Sequence, residues 1–223
     1  TDKHRKMLAE YEFPKNVVEL SCEKKTEKFP AVGEKIADFA LIDYGVKSSI
    51  VEQLQLSGAD VTVFPYDVST ETIWDGNFDA VMLSNGAGNP KDVNIETVKN
   101  LIGKLPIFGI CLGHQLLALA LGGDTFKLKF GHRGANHPII NLETGKVFIS
   151  SQNHGFAVDE KSLPSTATIT HKNVNDGTVE GFCDKSKKIT CVQFHPEATP
   201  GPEDAREIFQ NWVKSASREN VHA

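Results

Sequence analysis

Residues 106–120 of this 223-residue chain, PIFGICLGHQLLALA, give the strongest indication of its fold. It begins with an apolar run of strand length at 107–110. The run at 112–121 is apolar nearly all round, which is typical of a buried helix. Between them lies Gly109-Ile-Cys111-Leu-Gly113, a G-x-S-x-G elbow with cysteine in place of serine. A strand, a sharp turn and a helix in this order predict an α/β fold with a nucleophile at the turn.

The residue types of this elbow suit a cysteine nucleophile. A sharp strand-to-helix turn strains its central residue, and glycines on either side of Cys111 remove Cβ atoms that would clash. The helix N-terminus directs N–H groups and a partial positive charge at the sulfur. We expect the N–H of Leu112 to donate to an oxyanion. The alternative interpretation is a buried structural cysteine.

Segments on both sides of the elbow extend the pattern. Before it, apolar runs of strand length occupy residues 36–43, 61–64 and 78–83, and helical spacing occupies residues 46–56 and 93–101. This alternation predicts a doubly wound, mostly parallel sheet flanked by helices. After it, short β-type runs predict additional antiparallel strands in the C-terminal half, at residues 125–130, 146–150, 167–170, 178–183 and 189–194. A last helix is expected at 203–214.

A cysteine nucleophile needs a base, and His195 in the run VQFHPE, residues 192–197, is the best candidate. The following proline biases His195 toward extended backbone, and in extended backbone His195 and Glu197 project to the same face. The carboxylate can then orient one ring nitrogen while the other faces outward, as in a catalytic triad. The alternative is a His-Pro turn beside a solvated glutamate.

The remaining histidines give weaker signals. We expect His114 to pack or cap in the first turn after the elbow. We expect His132, His137 and His154 to lie in loops near glycines. No H-x-x-x-H or carboxylate spacing supports a ligand set, so the sequence predicts no metal site.

Two glycine-bearing segments are candidates for pocket loops. SNGAGNP, residues 84–90, follows the third strand, where α/β sheets bind ligands, and the N–H of Gly86 can complete an oxyanion hole with Leu112. QNHGF, residues 152–156, can present backbone groups to a polar substrate. Plain connecting turns are the alternative for both. The chain lacks G-x-G-x-x-G and a P-loop, which argues against a nucleotide site.

Composition excludes several classes of function. The net charge of −5 leaves no footprint for nucleic acid or an anionic membrane surface. The four cysteines form no C-x-x-C pair, which argues against zinc ribbons and thioredoxin-type motifs, and we interpret them as reduced thiols of a cytoplasmic protein. The apolar stretch at 107–121 is too short and too polar to cross a bilayer.

These motifs together resemble the class I glutamine amidotransferases, and more narrowly the glutaminase subunit or domain of carbamoyl-phosphate synthetases. The likeness runs from about residue 36 to 213. The elbow and H-P-E are shared across the superfamily, whereas the runs at 130–138 and 151–159 are more specific. The matching pieces are SNGAG (84–88), FGICLGHQLLALA (108–120), FGHRGANHP (130–138), SQNHGFAVD (151–159) and VQFHPEATPGP (192–202).

The resemblance implies a role for each candidate residue. Cys111 would attack the side-chain amide of L-glutamine, the N–H groups of Leu112 and Gly86 would hold the oxyanion, and His195, steered by Glu197, would transfer protons. The glutamine pocket would be lined by Gln115, Asn153, Gly155, Phe156 and Gly88. The resemblance implies no cofactor on this chain, because ATP and Mg would bind a synthetase partner that makes carbamoyl phosphate from bicarbonate and the released ammonia.

The resemblance also frames the domain organisation and the competing hypotheses. We expect residues 1–35 to be a linker or the tail of a missing N-terminal domain, 36–215 to form the glutamine amidotransferase domain, and 216–223 to be a C-terminal tail. One competing hypothesis is a catalytically idle module that regulates a synthetase. The other is a cysteine hydrolase that cleaves γ-glutamyl peptides.

Overall fold

The computed structural model describes residues 1–11, 14–15 and 17–217. Its strands are β1 (Glu27–Phe29), β2 (Ala37–Tyr44), β3 (Ala59–Pro65), β4 (Ala80–Gly86), β5 (Ile107–Ile110), β6 (Thr125–Asn141), β7 (Val147–Val158), β8 (Thr168–Asn173), β9 (Val179–Asp184) and β10 (Ile189–Val192). Its α-helices are α1 (Asp2–Glu10), α2 (Val17–Ser21), α3 (Ser48–Leu56), α4 (Thr70–Asp75), α5 (Glu96–Leu101), α6 (Leu112–Ala120) and α7 (Glu207–Ala216).

The strands form one sheet in the order β1-β3-β2-β4-β5-β10-β9-β8-β6-β7. From β3 to β10 along this order, neighbouring strands are parallel. β1 pairs antiparallel with β3, and the strands beyond β10 are antiparallel to their neighbours. This architecture confirms the predicted α/β fold with added antiparallel strands. The carboxyl ends of β2, β4 and β5 share one edge of the sheet, where such folds place their sites.

Both faces of the parallel region are buried. Along β2, Phe39 and Leu41 join the core beneath α3 and α7, whereas Ala40 and Ile42 join the core beneath α6. Successive strand residues point to opposite faces, so a strand buried on both sides reads as a continuous apolar run. This explains why the sequence pattern located the parallel strands well.

The C-terminal strands differ from the short runs that the sequence suggested. β6 spans Thr125–Asn141 and pairs with β7 through two irregularities in register. Gly131 and Gly134 lie at these irregularities with φ of +72° and +144°, which glycine adopts without a Cβ clash. The expectation that His132, His137 and His154 lie in loops is wrong, because β6 carries the first two and β7 the third.

The ends of the chain contain elements that the periodicity did not indicate. β1 extends the sheet beyond β3, and Val18 of α2 is buried against the core. α1 buries none of its residues.

Two helices differ from the sequence prediction within the amidotransferase region. α4 was not predicted, and α7 begins at Glu207 rather than at 203. Of the tail predicted at 216–223, the structure describes only Ala216, which ends α7, and Ser217; the residues after Ser217 lie outside the described range. None of the helices in the described ranges is long and apolar enough to cross a membrane.

Candidate active site

Cys111 occupies the turn between β5 and α6 in a conformation that few residues adopt. Its φ of 54° and ψ of −100° place it at positive φ, where a side chain is strained. A Cβ on Gly113 would lie 2.3 Å from the carbonyl oxygen of Leu83, and a Cβ on Gly109 would lie 2.8 Å from Gly113. Both glycines are therefore required by close backbone packing, which holds the sulfur at the sheet edge.

His195 and Glu197 form a buried pair beside this elbow. His195 Nδ1 lies 2.7 Å from Glu197 Oε1, and the backbone N–H of His195 donates to the carbonyl of Ser151 at 3.0 Å. His195 Nε2 is buried and has no hydrogen-bond partner among the described residues. The carboxylate thus orients one ring nitrogen and leaves the other available to the thiol, the arrangement that a general base needs.

The electrostatic surroundings of His195 favour its protonated form. Burial by itself lowers the pKa of the imidazole, but the neighbouring Cys111 and Glu197 outweigh burial and raise that pKa from 6.5 to about 10. Glu197 is fully buried. Burial would raise the pKa of its carboxyl, whereas His195 and Lys47 hold it below its usual value. The geometry therefore favours an imidazolium beside the sulfur and an ionised carboxylate behind it.

Lys47 is a part of the site that the sequence analysis missed. Its Nζ donates to Glu197 Oε1 at 2.8 Å and to the carbonyl of Ala198 at 2.7 Å. It stands in the turn after β2, close to Gly45 with φ of +117°. A glycine turn at the carboxyl end of a parallel strand was the available signal. Lys47 thus balances the buried charge of Glu197 and fixes the backbone that follows it.

A cavity of ≈ 550 Å³ opens at Cys111. This volume lies in the range of small-molecule sites. The structure gathers the predicted oxyanion and pocket residues around it: Gly86, Gly88, Leu112, Gln115, Asn153, Gly155 and Phe156 all line the cavity with Cys111. Two predicted site residues, His195 and Glu197, do not line it.

The glycines of the loop after β4 are needed for the shape of this cavity. A Cβ on Gly86 would lie 2.2 Å from the carbonyl of Tyr44, and Gly88 has a φ of +99°. Leu112 is the first residue of α6, so its N–H has no acceptor within the helix. Backbone from β4 and the N-terminus of α6 therefore meet beside Cys111.

Gln115 is oriented by hydrogen bonds within the wall of the cavity. Its Nε2 donates to the carbonyl of Phe156 at 2.8 Å and to Gln193 Oε1 at 2.9 Å. Both amide hydrogens are thus used, which leaves Oε1 to accept from a donor in the cavity. The bond to Phe156 also connects α6 to the Asn153–Phe156 segment of β7.

A second cavity of ≈ 390 Å³ also reaches the nucleophile. Cys111, Gly86 and Asn153 line both cavities, whereas His195 and Lys47 line only the second. Cys111 therefore borders both a larger cavity, which the predicted pocket residues line, and a smaller one, which the base lines.

Other histidines lie outside the catalytic arrangement. His114 is fully buried, its Nδ1 lies 3.2 Å from Cys191 Sγ, and burial lowers the pKa of its ring to about 3. This agrees with the packing role expected for it. His132, His154 and Glu180 each bring one possible ligand atom within 4.8 Å of the others, a juxtaposition that the sequence did not indicate.

The chain is similar to known proteins over most of its length. A family model described as glutamine amidotransferase class-I matches residues 40–215. The carbamoyl phosphate synthase small chain of Archaeoglobus fulgidus is 50% identical over 200 residues, which cover 89% of this chain and 55% of that one. The small chain of Staphylococcus saprophyticus is 47% identical over 209 residues, covering 92% and 56%. The chain spans about half the length of the curated relatives it matches.

Solved structures support the fold. A Thermoplasma acidophilum protein assigned to GMP synthase superposes with a TM-score of 0.72 at 24% identity, covering 82% of this chain and 95% of that chain. A glutamine amidotransferase from Thermotoga maritima gives a TM-score of 0.59 at 17% identity, covering 85% and 94%. The family match over residues 40–215, which is most of the chain, shows that the chain belongs to the class I glutamine amidotransferase family.

Proposed function

We propose that this chain hydrolyses L-glutamine through a thioester on Cys111 and delivers the ammonia to a carbamoyl-phosphate synthetase partner. The observation that carries the proposal is the position of Cys111, which lines a ≈ 550 Å³ cavity and shares a second cavity with His195, whose ring is paired with Glu197. Family membership and the similarity to carbamoyl phosphate synthase small chains support the choice of substrate and partner.

The first half of the reaction forms the thioester. The Cys111 thiolate attacks the side-chain amide carbon of glutamine, and the negative charge that develops on oxygen is held by the N–H groups of Leu112 and Gly86. His195 then gives a proton to the amide nitrogen. The C–N bond breaks, ammonia leaves, and a γ-glutamyl thioester remains on Cys111.

The second half releases glutamate. His195, now neutral, takes a proton from water as the water attacks the thioester carbon. The C–S bond breaks and the thiolate of Cys111 is regenerated beside the imidazolium. Glu197 and Lys47 keep the ring in one orientation through both halves, since neither group is required to change its protonation state.

The wall of the larger cavity suits the polar end of glutamine. Gln115 has only its Oε1 to offer, because both of its amide hydrogens are already used, and this acceptor fits an ammonium or amide donor. Asn153, Gly155, Phe156 and Gly88 supply further polar and backbone groups in the same wall. We assign these residues to glutamine binding.

Glutamate release from glutamine tests the proposed chemistry. The chain, its Cys111→Ala variant and a matched Cys183→Ala variant would be compared, because Cys183 is a half-buried cysteine away from the cavity. We expect Cys111→Ala to abolish release and Cys183→Ala to retain it. Release that survives Cys111→Ala would contradict the proposal. Faster turnover of γ-glutamyl peptides than of glutamine would favour the peptide hydrolase instead.

A coupled assay tests the partner. We assign the ATP- and Mg-dependent steps to the large chain of a carbamoyl phosphate synthase and no cofactor to this chain. Mixing the two chains with glutamine, bicarbonate and ATP should yield carbamoyl phosphate, and Cys111→Ala should stop glutamine-driven but not ammonia-driven synthesis. No stimulation by the active chain would contradict the assignment. The four unpaired cysteines support a reducing cytoplasm as the compartment.

A further inference from the structure

We propose that His132, His154 and Glu180 form a binding site for a divalent first-row transition metal, with Zn²⁺ as the best fit. The three residues come from three strands, β6, β7 and β9, and each offers one ligand atom within 4.8 Å of the other two. Two imidazoles and one carboxylate are a donor set that Zn²⁺ accepts with a fourth position open to solvent or another group.

Two imidazole nitrogens of this group lack hydrogen-bond partners. His132 Nδ1 and His154 Nε2 are both buried, and neither has a hydrogen-bond partner within the described ranges. His132 Nδ1 lies 3.6 Å from Glu180 Oε1, which is too far for a hydrogen bond. An ion pair between His132 and Glu180 would still leave His154 Nε2 unpartnered. A metal ion satisfies both nitrogens. Glu180 Oε1 also accepts from Asn173 Nδ2 at 3.3 Å, and a carboxylate oxygen has a further lone pair for the ion.

The other atoms of all three side chains are already fixed. His154 Nδ1 lies 2.7 Å from the carbonyl oxygen of Phe156, which can only accept, so this nitrogen carries the hydrogen and Nε2 presents a lone pair. His132 Nε2 lies 2.8 Å from Asp176 Oδ2, and Gln152 Nε2 donates to Glu180 Oε2 at 2.7 Å. Metal-ligating histidines and carboxylates are typically held by outer bonds of this kind.

The distances are compatible with metal binding after a small closure. Ligand atoms about 2.0–2.2 Å from a tetrahedral Zn²⁺ lie about 3.4 Å from one another, so the pair furthest apart would close by at most about 1.4 Å from the 4.8 Å limit. Glu180 is fully buried and His154 is 7% exposed, so these two side chains have little room to adopt other rotamers. The site does not include the His195–Glu197 pair, but His154 itself lines the ≈ 550 Å³ cavity beside Asn153, so a bound metal would brace that wall.

The test is direct metal binding, with no dependence on glutamine turnover. The chain in a Cys111→Ser background, which removes the reactive thiol as a competing ligand, would be titrated with Zn²⁺ by calorimetry and with Co²⁺ by visible absorption. We expect one ion per chain and Co²⁺ d–d bands without thiolate charge-transfer bands. Binding that is not stoichiometric, or strong charge-transfer bands from a cysteine, would overturn the proposal.

Variants in the same background locate the site. Glu180→Gln and His132→Asn should lose stoichiometric binding, and Asp176→Asn should weaken it about 10–100-fold through the outer hydrogen bond. His137→Asn is the matched control, since its ring lies 5.3 Å from that of His132 but it is not in the ligand group. If circular dichroism shows that Glu180→Gln is unfolded, the affinity of Asp176→Asn still tests the site, because Asp176 is partly exposed in a turn and its substitution should leave the fold intact. Unchanged affinity in Asp176→Asn and His132→Asn would refute the site.

Discussion

Replacing Glu197 by glutamine measures what the buried carboxylate contributes to catalysis. Glu197 Oε1 accepts from His195 Nδ1 at 2.7 Å and from Lys47 Nζ at 2.8 Å. Glutamine can place a carbonyl oxygen at the same position, so the substitution removes the negative charge and preserves most of the geometry. We expect the imidazolium to be less stabilised and His195 to be oriented less tightly.

The size of the effect follows from the two bonds. Both donors stay charged in the variant, but a hydrogen bond between two charged groups is stronger than one from a charged donor to a neutral carbonyl, by about 1 kcal/mol. Losing about 1 kcal/mol at each bond removes about 2 kcal/mol, which is roughly a 30-fold lower rate of glutamine hydrolysis at about 1.4 kcal/mol per factor of ten. The pKa of His195 should also fall, because Glu197 is one of the groups that raise it.

Two measurements check this prediction. Steady-state glutamate release gives the rate of hydrolysis. The pH dependence of Cys111 alkylation by iodoacetamide reports how well the neighbouring imidazolium stabilises the thiolate. Glu160→Gln is the matched control, because Glu160 pairs at the surface with Lys172 at 2.7 Å and such exposed pairs contribute at most about 1 kcal/mol to stability. The control should stay within about twofold of the wild type. A Glu197→Gln variant that also stays within twofold, with an unchanged pH profile, would show that the carboxylate charge does not assist His195.

Three further predictions concern the same region. Lys47→Met removes one charge-assisted donor to Glu197 and should lower kcat about tenfold; kcat equal to that of the wild type would contradict this role. Gly113→Ala places a Cβ 2.3 Å from the Leu83 carbonyl and should lower the free energy of unfolding in urea by about 1–3 kcal/mol, whereas unchanged stability would show that the elbow relaxes freely. The pKa of His195 is raised from 6.5 to about 10, so its stabilising contribution is fully present below pH 6.5 and lost as the pH rises to about 10. The unfolding free energies of wild type and His195→Asn should therefore converge over that range, and a constant difference would contradict the shift.

The parallel core and the elbow could be predicted because their signals are local. β5, the glycines around Cys111 and α6 follow one another within residues 106–120. The strands buried on both faces read as apolar runs, and His195 and Glu197 are two residues apart on one extended segment. When the residues that determine an element lie close together in the chain, that element can be predicted from the sequence.

The parts that could not be predicted depend on contacts between distant residues. Lys47 and Glu197 are 150 positions apart, and no local pattern connects them. His132, His154 and Glu180 meet only because β6, β7 and β9 lie in one sheet with a specific register. The length of β6 was also hidden, since Gly131 and Gly134 read as turn signals although they occupy bulges within a strand.

The proposed function requires Cys111 to be an activated nucleophile in the wall of a glutamine pocket. Peptide mapping after treatment with an electrophilic glutamine analogue, with and without excess glutamine, tests this requirement. We expect selective labelling of Cys111 that glutamine blocks. Labelling of other cysteines instead, or labelling of Cys111 that glutamine does not reduce, would contradict it.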